Sequence, residues 1–150
     1  MPAVPGSWLF LLPVLLLAGC HFARAAAPGV RDAKLAPCPS SPNCVSSQAD
    51  DELHRVAPLT YVGTGADAMA RLAATLRALP RATLVTAGES YLHAEFRSAV
   101  FGFVDDVEFL LDDAAKVIHV RSASRVGRSD LGVNRRRVES LRKNWSGRAP

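Results

Sequence analysis

Apolar residues recur along this chain at two periods, and the change of period marks its elements. From Ala66 to Leu79 the positions Met69, Leu72, Ala73, Leu76 and Leu79 lie three and four apart, the spacing of one helix face, and Pro80 stops the run. Beyond it the period falls to two. Thr83 to Thr86 is predicted as a short strand, Gly88-Glu89 as a turn, Tyr91 to Arg97 as a second strand and Val104 to Leu111 as a third. Asp112 to Ala115 turns the chain into a fourth strand, Val117 to Ser124. A second helix, capped by Ser129 or Asp130, runs to about Trp145 with Leu131, Val138, Leu141 and Trp145 as its apolar stripe. The expected fold class is α+β in the order helix, four strands, helix: a four-stranded antiparallel sheet with the helices packed on one face. The connection Ser98 to Phe103 is apolar. It reads either as a bent extension of a strand or as a lip of Phe101 and Phe103 over a pocket, with the bent strand preferred.

The start of the chain follows neither period. Residues 7 to 19 form one apolar block that ends in Leu17-Ala18-Gly19-Cys20. The block is shorter than the roughly 20 residues a membrane span requires and has the length of a leader's hydrophobic region. The four closing residues match a bacterial lipobox, which predicts cleavage before Cys20 and acylation of its thiol and new α-amino group, with palmitate among the chains. The segment before the block lacks Lys and Arg. Secretion with cleavage near Ala25-Ala26-Ala27, or an uncleaved anchor, are the competing readings. The lipoprotein reading gives a leader at 1–19, a lipidated flexible tether at 20–37, one globular domain at 38–146 and a tail at 147–150. It places the protein on the bacterial cell envelope, facing the periplasm. His21 rather than Asp after the cysteine leans toward the outer membrane. The remaining pair, Cys38 and Cys44, brackets a turn-forming Pro39-Ser40-Ser41-Pro42-Asn43 and reads as a disulfide in an oxidising compartment. A metal site is the weaker alternative, because no second Cys/His pair follows.

Charge changes the picture in one place. The formal net charge is +4, but residues 121 to 150 concentrate the arginines, with Asp130 and Glu139 the only acids among them. In the envelope such a segment suits anionic lipid headgroups, polyanionic glycans or an envelope protein partner, and not nucleic acid. The alternative is an ordinary solvated Arg-rich helix face.

Strand alternation sorts the candidate chemistry by face. Leu92, Ala94, Phe96, Val107, Phe109, Leu111, Ile118 and Val120 are expected toward the core. His93, Glu95, Arg97, Asp106, Glu108, His119 and Arg121 are expected together on the opposite face. Such a face is either a set of cross-strand ion pairs or a ligand platform. A second constellation runs from Arg121 through Ser122, Ser124, Arg125, Gly127 and Arg128 to Asn134 and Arg135, where a strand feeds a helix N-terminus. Free amides and forked guanidinium groups there favour an anion, unless the residues only cap the helix. The ligand-binding candidates are Arg97, Asp106, His119, Arg121, Ser124, Arg125, Arg128, Asn134 and Arg135. No nucleophile elbow, Cys–His pair or metal-ligand spacing stands out, so no catalytic residue, metal or cofactor is assigned.

These residues also carry a resemblance. Cys38-Pro39-Ser40-Ser41-Pro42-Asn43-Cys44-Val45-Ser46-Ser47, Tyr91 to Ser98, Phe103 to Phe109, Arg121 to Gly127 and Ser129 to Arg135 resemble the bacterial and plastid family called domain of unknown function 1499, over about residues 36 to 145. The resemblance implies an envelope or plastid protein of unassigned activity and transfers no catalytic residue. The function expected is a non-enzymatic, lipid-anchored module binding an anionic envelope ligand or protein partner. The alternative is a hydrolase or transferase with His93 or His119 as base and Glu95, Asp106 or Glu108 as partner. A pocket joining His119 or Asp106 to Arg125 would favour the enzyme. Charges that only pair with one another would remove it.

Overall fold

The computed structural model describes residues 27–146. The readings of a leader and of acylation at Cys20 fall outside the described residues. Among those described, no helix is long and apolar enough to cross a membrane.

Ten elements follow in order: β1 (Val30–Arg31), β2 (Lys34–Leu35), β3 (Cys44–Ser46), β4 (Leu59–Thr60), α1 (Gly65–Ala78), β5 (Ala82–Ala87), β6 (Tyr91–Arg97), β7 (Val104–Asp112), β8 (Val117–Ser124) and α2 (Val133–Ser146). The class is α+β, but two expectations need correction. The main sheet has six strands rather than four, in the order β3-β8-β7-β6-β5 with β4 also on β8, and four short strands precede the first helix. The additional strands are only two or three residues long, too short to display an alternation. They exist because β8 offers them its free edge: Cys44 opposes Ala123 at one end, and Leu59 opposes Ile118 at the other. Every pairing between these strands is antiparallel, and short connections dictate this for β5–β6, β6–β7 and β7–β8.

α1 starts where Thr64 accepts the Asp67 amide, and its buried stripe of Met69, Leu72, Ala73 and Leu76 is the one its period foretells. From α2 come Val138, Leu141 and Trp145. Leu131 does not join them. It is 84% exposed, lies before the helix, and takes a φ of 53°. The cap is Asp130, whose carboxylate accepts the Gly132 and Asn134 amides, so the helix begins later than its apolar pattern suggests. Both helices pack on the sheet face that carries Leu92, Ala94, Phe96, Val107, Phe109, Ile118 and Val120, and these form one core. Trp145 is fixed by its indole N–H on the Thr60 carbonyl (2.6 Å) and by the Arg71 guanidinium 3.8 Å above its ring.

Residues 30–35 of the stretch read as a tether form the β1–β2 hairpin, which lies over the other face of the sheet. Ser98 to Phe103 is neither a bent strand nor a lip. It is a tight connection closed by the Ser98 amide on the Phe103 carbonyl (2.8 Å) and the Phe103 amide on Ser98 Oγ (3.0 Å). The two rings stack at 5.5 Å with their outer surfaces in solvent.

Candidate functional site

The β6–β7–β8 register is unbroken. It sets His93 beside Glu108 and Glu108 beside Arg121, Glu95 beside Asp106, and Leu110 beside His119. The charged face therefore forms, but it is not an open platform. Its centre is the Arg121–Glu108 pair, with Nη1 to Oε2 at 2.7 Å and neither side chain exposed to solvent. Two further donors complete Glu108: the Tyr91 hydroxyl (2.8 Å) and the Gly29 amide (2.6 Å), both on Oε1. The second arrives because the N-terminal hairpin crosses the sheet here. A buried carboxylate persists only with such a full set of partners. Burial and the neighbouring Glu108 charge push the Tyr91 phenol well above its usual range. Arg121 is thus an internal counter-ion and is shielded from any external ligand.

Asp106 organises a second cluster. It accepts His93 Nε2 (2.7 Å) and both Nε and Nη2 of Arg125 (2.8 and 2.7 Å), and the same guanidinium reaches Glu95 at 2.6 Å. Burial alone would raise the Asp106 carboxyl. The hydrogen bonds from Arg125 and His93 outweigh it and hold the group at about 2. The two carboxylates in turn raise the Arg125 guanidinium above its ordinary value. Arg125 spends its fork on Asp106 and Glu95. Arg97 is exposed and contacts Glu95 at 3.5 Å.

The strand-to-helix constellation is mostly structural. Asn134 is fully buried, donates to the Asn43 carbonyl, Ser124 Oγ and Asp130, and accepts the Ser122 hydroxyl. It ties α2 to β8 and to the loop closed by the Cys38–Cys44 disulfide, whose Asn43 donates to the Gly127 carbonyl (2.7 Å). Ser124 is consumed in the same network. Arg135 donates to the Leu53 and Arg55 carbonyls. Arg128 is exposed and makes no bond among the described residues. The pattern gave no warning of Asp105, which takes a core-face position and binds Arg137 at 2.6 Å, or of Arg137 itself, whose guanidinium lies 4.8 Å from the Phe96 ring.

His119 stands apart from both ion-pair clusters. It lines a cleft of about 750 Å³ between the β1–β2 turn, the residues after β3 and the β7–β8 turn. Arg125 and Asp106 do not line this cleft. His93 and Asp106 pair with each other, Glu95 with Arg125 and Glu108 with Arg121. Sequence reasoning missed Ser47 and Asp112 as neighbours of His119. Their only signals were that Ser47 ends the Cys38–Ser47 stretch and that Asp112 opens a turn.

One family accounts for most of the chain: the one described as protein of unknown function (DUF1499) matches residues 34–144. No curated protein and no solved structure matches.

Proposed function

Because the chain belongs to that family, whose description assigns no activity, we propose from the geometry that it is a lipid-anchored module of the bacterial envelope that rests on an anionic membrane surface through its 98–103 turn. The observation that carries this is the turn itself. Val100, Phe101 and Phe103 are 81, 75 and 53% exposed at one tip of the molecule. A solvated domain gains nothing from holding two stacked rings in water, whereas an interface accepts them. Cations surround the tip. Arg97 precedes the turn, its amide bonds the Arg81 carbonyl, and both arginines are exposed. On the other side the Arg125 amide bonds the Val104 carbonyl, which brings the exposed Val126 close. Each such cation near an anionic leaflet contributes about 1 kcal/mol.

The path of the chain agrees. Gly29 meets Glu108, while Asp32 and Ala33 line a cleft with Asp112 and Asp113, so the hairpin enters from the side nearer the aromatic turn. Ala27 is seven positions from Cys20, about 25 Å at full extension. An acylated Cys20 would thus keep the tip within reach of the bilayer.

The test has two arms. Intact mass of the protein recovered from membranes should show Cys20 as an acylated N-terminus. Residues 21–150, free of acyl chains, should co-sediment with phosphatidylglycerol vesicles and not with phosphatidylcholine vesicles. Phe101→Ser with Phe103→Ser should abolish that binding, and Arg97→Glu should weaken it about fivefold or more. Equal recovery on both vesicle types, or full binding by the double Ser variant, refutes the proposal.

A further inference from the structure

We propose that Ser47, His119 and Asp112 form an ester-hydrolysing site in the cleft beneath the β1–β2 turn. This site is independent of the membrane contact argued above. Ser47 Oγ lies 3.1 Å from His119 Nδ1, and the opposite ring nitrogen, Nε2, lies 3.8 Å from Asp112 Oδ2. The hydrogen-bond inventory orients the set. Ser47 Oγ accepts the Val120 amide (2.9 Å), which leaves its own proton to donate, and Nδ1 is the acceptor in reach. The site needs the tautomer with its proton on Nε2, facing Asp112. That carboxylate is held in place by the Ala115 amide on its other oxygen (3.0 Å). A hydroxyl, a base and an orienting acid from three separate segments thus meet in series. The longer His–Asp distance is of the kind that closes when a ligand fills a site.

The cleft supplies the rest. Gln48 lines it, and its side-chain carbonyl accepts the Leu35 amide (2.9 Å), so its NH₂ group is the end left to donate to an oxyanion. Leu110 and Ala114 give an apolar wall, and Lys34 also lines the cleft. The substrate class is a carboxylic ester whose acyl part lies on that wall.

Ser47 Oγ bonds to the acyl carbon as its proton passes to His119 Nδ1. The tetrahedral oxyanion collapses, the bond to the leaving alcohol breaks, and the alcohol takes the proton from His119. Water then adds to the acyl–Ser47 ester, giving a proton to His119. Ser47 departs as the hydroxyl with its proton returned, and a carboxylic acid is released. Ser47 and His119 are the catalytic residues, and Asp112 is a positioning residue.

The experiment treats the full chain in detergent with a fluorophosphonate probe and maps the adduct by peptide mass spectrometry, with p-nitrophenyl butyrate as the turnover substrate. One adduct on Ser47 is expected in the unmutated protein, which needs no variant to fold. His119→Gln leaves the Ser47–Val120 bond intact and should lower turnover about 100-fold or more. Ser47→Ala should abolish both label and turnover while thermal melting confirms the fold. Asp112→Asn should lower kcat about tenfold at constant KM, a split that a purely structural role would not give. Absence of label on the unmutated protein, label at another residue, or undiminished turnover by folded His119→Gln overturns the proposal. None of these outcomes bears on vesicle binding.

Discussion

Replacing Glu108 with Gln perturbs the centre of the charged face with almost no change of shape. The amide keeps an oxygen to accept the Gly29 amide and the Tyr91 hydroxyl, so the loss isolates the charge pairing with Arg121. Both side chains are fully buried and meet at 2.7 Å. Removing the Glu108 charge breaks a buried ion pair from one side, which costs about 3–5 kcal/mol. That is a large share of the 5–15 kcal/mol that holds an ordinary domain folded. The double variant Glu108→Leu, Arg121→Met removes both charges and should be less destabilised than Glu108→Gln, although it forfeits the Gly29 and Tyr91 bonds at about 1 kcal/mol each. The assay is urea unfolding with the Cys38–Cys44 bond oxidised, accepting only variants whose m-value matches the parent. A Glu108→Gln cost below 1 kcal/mol would refute the reasoning. So would a double variant whose loss equals the sum of its singles, because contacting charges must couple.

Acid titration tests the second cluster. The Asp106 carboxyl sits at about 2 in the fold against 3.8 unfolded, so its stabilisation is complete above about pH 4 and disappears as pH falls toward 2. The difference is about 2 kcal/mol, and the stability gap between the parent and Asp106→Asn should shrink by that amount between pH 5 and pH 2. Parallel curves would show that Arg125 and His93 do not hold the carboxylate. Asn134→Ala should cost about 1–3 kcal/mol and speed amide exchange in the first turn of α2, because it removes the acceptor of the buried Ser122 hydroxyl and one of the two donors on the Asn43 carbonyl. Unchanged exchange there would mean that Asp130 alone secures the helix start.

The long elements were legible because burial imposes one period on them. β6 and β8 run over the very residues their alternation marks, and α1 shows its stripe at every turn. The short strands were not, since Leu59–Thr60 and Cys44–Ser46 take their conformation from the edge of β8 rather than from their own pattern. The face shared by His93, Glu108 and Arg121 followed from alternation alone. Its occlusion did not, because the cover comes from residues 30–35, whose Ala, Pro and Gly neighbours read as tether. Asp105, Ser122 and Ser124 occupy core-face positions in spite of their polarity. They are tolerated because Asn134 and Arg137 of α2 supply partners, a contact that only the tertiary fold creates. The same holds for Ser47, His119 and Asp112, which come from three segments and show no local spacing.

The Gly29–Glu108 bond has a mechanical consequence. Tension applied upstream of Ala27, where a bilayer attachment would pull, is delivered to a single amide–carboxylate link and a hairpin of two-residue strands before it loads the long ladders of β6, β7 and β8. The hairpin is therefore the weakest member in that load path. Peeling it away would wet Glu108 and Arg121 while the helical layer on the opposite side stayed packed.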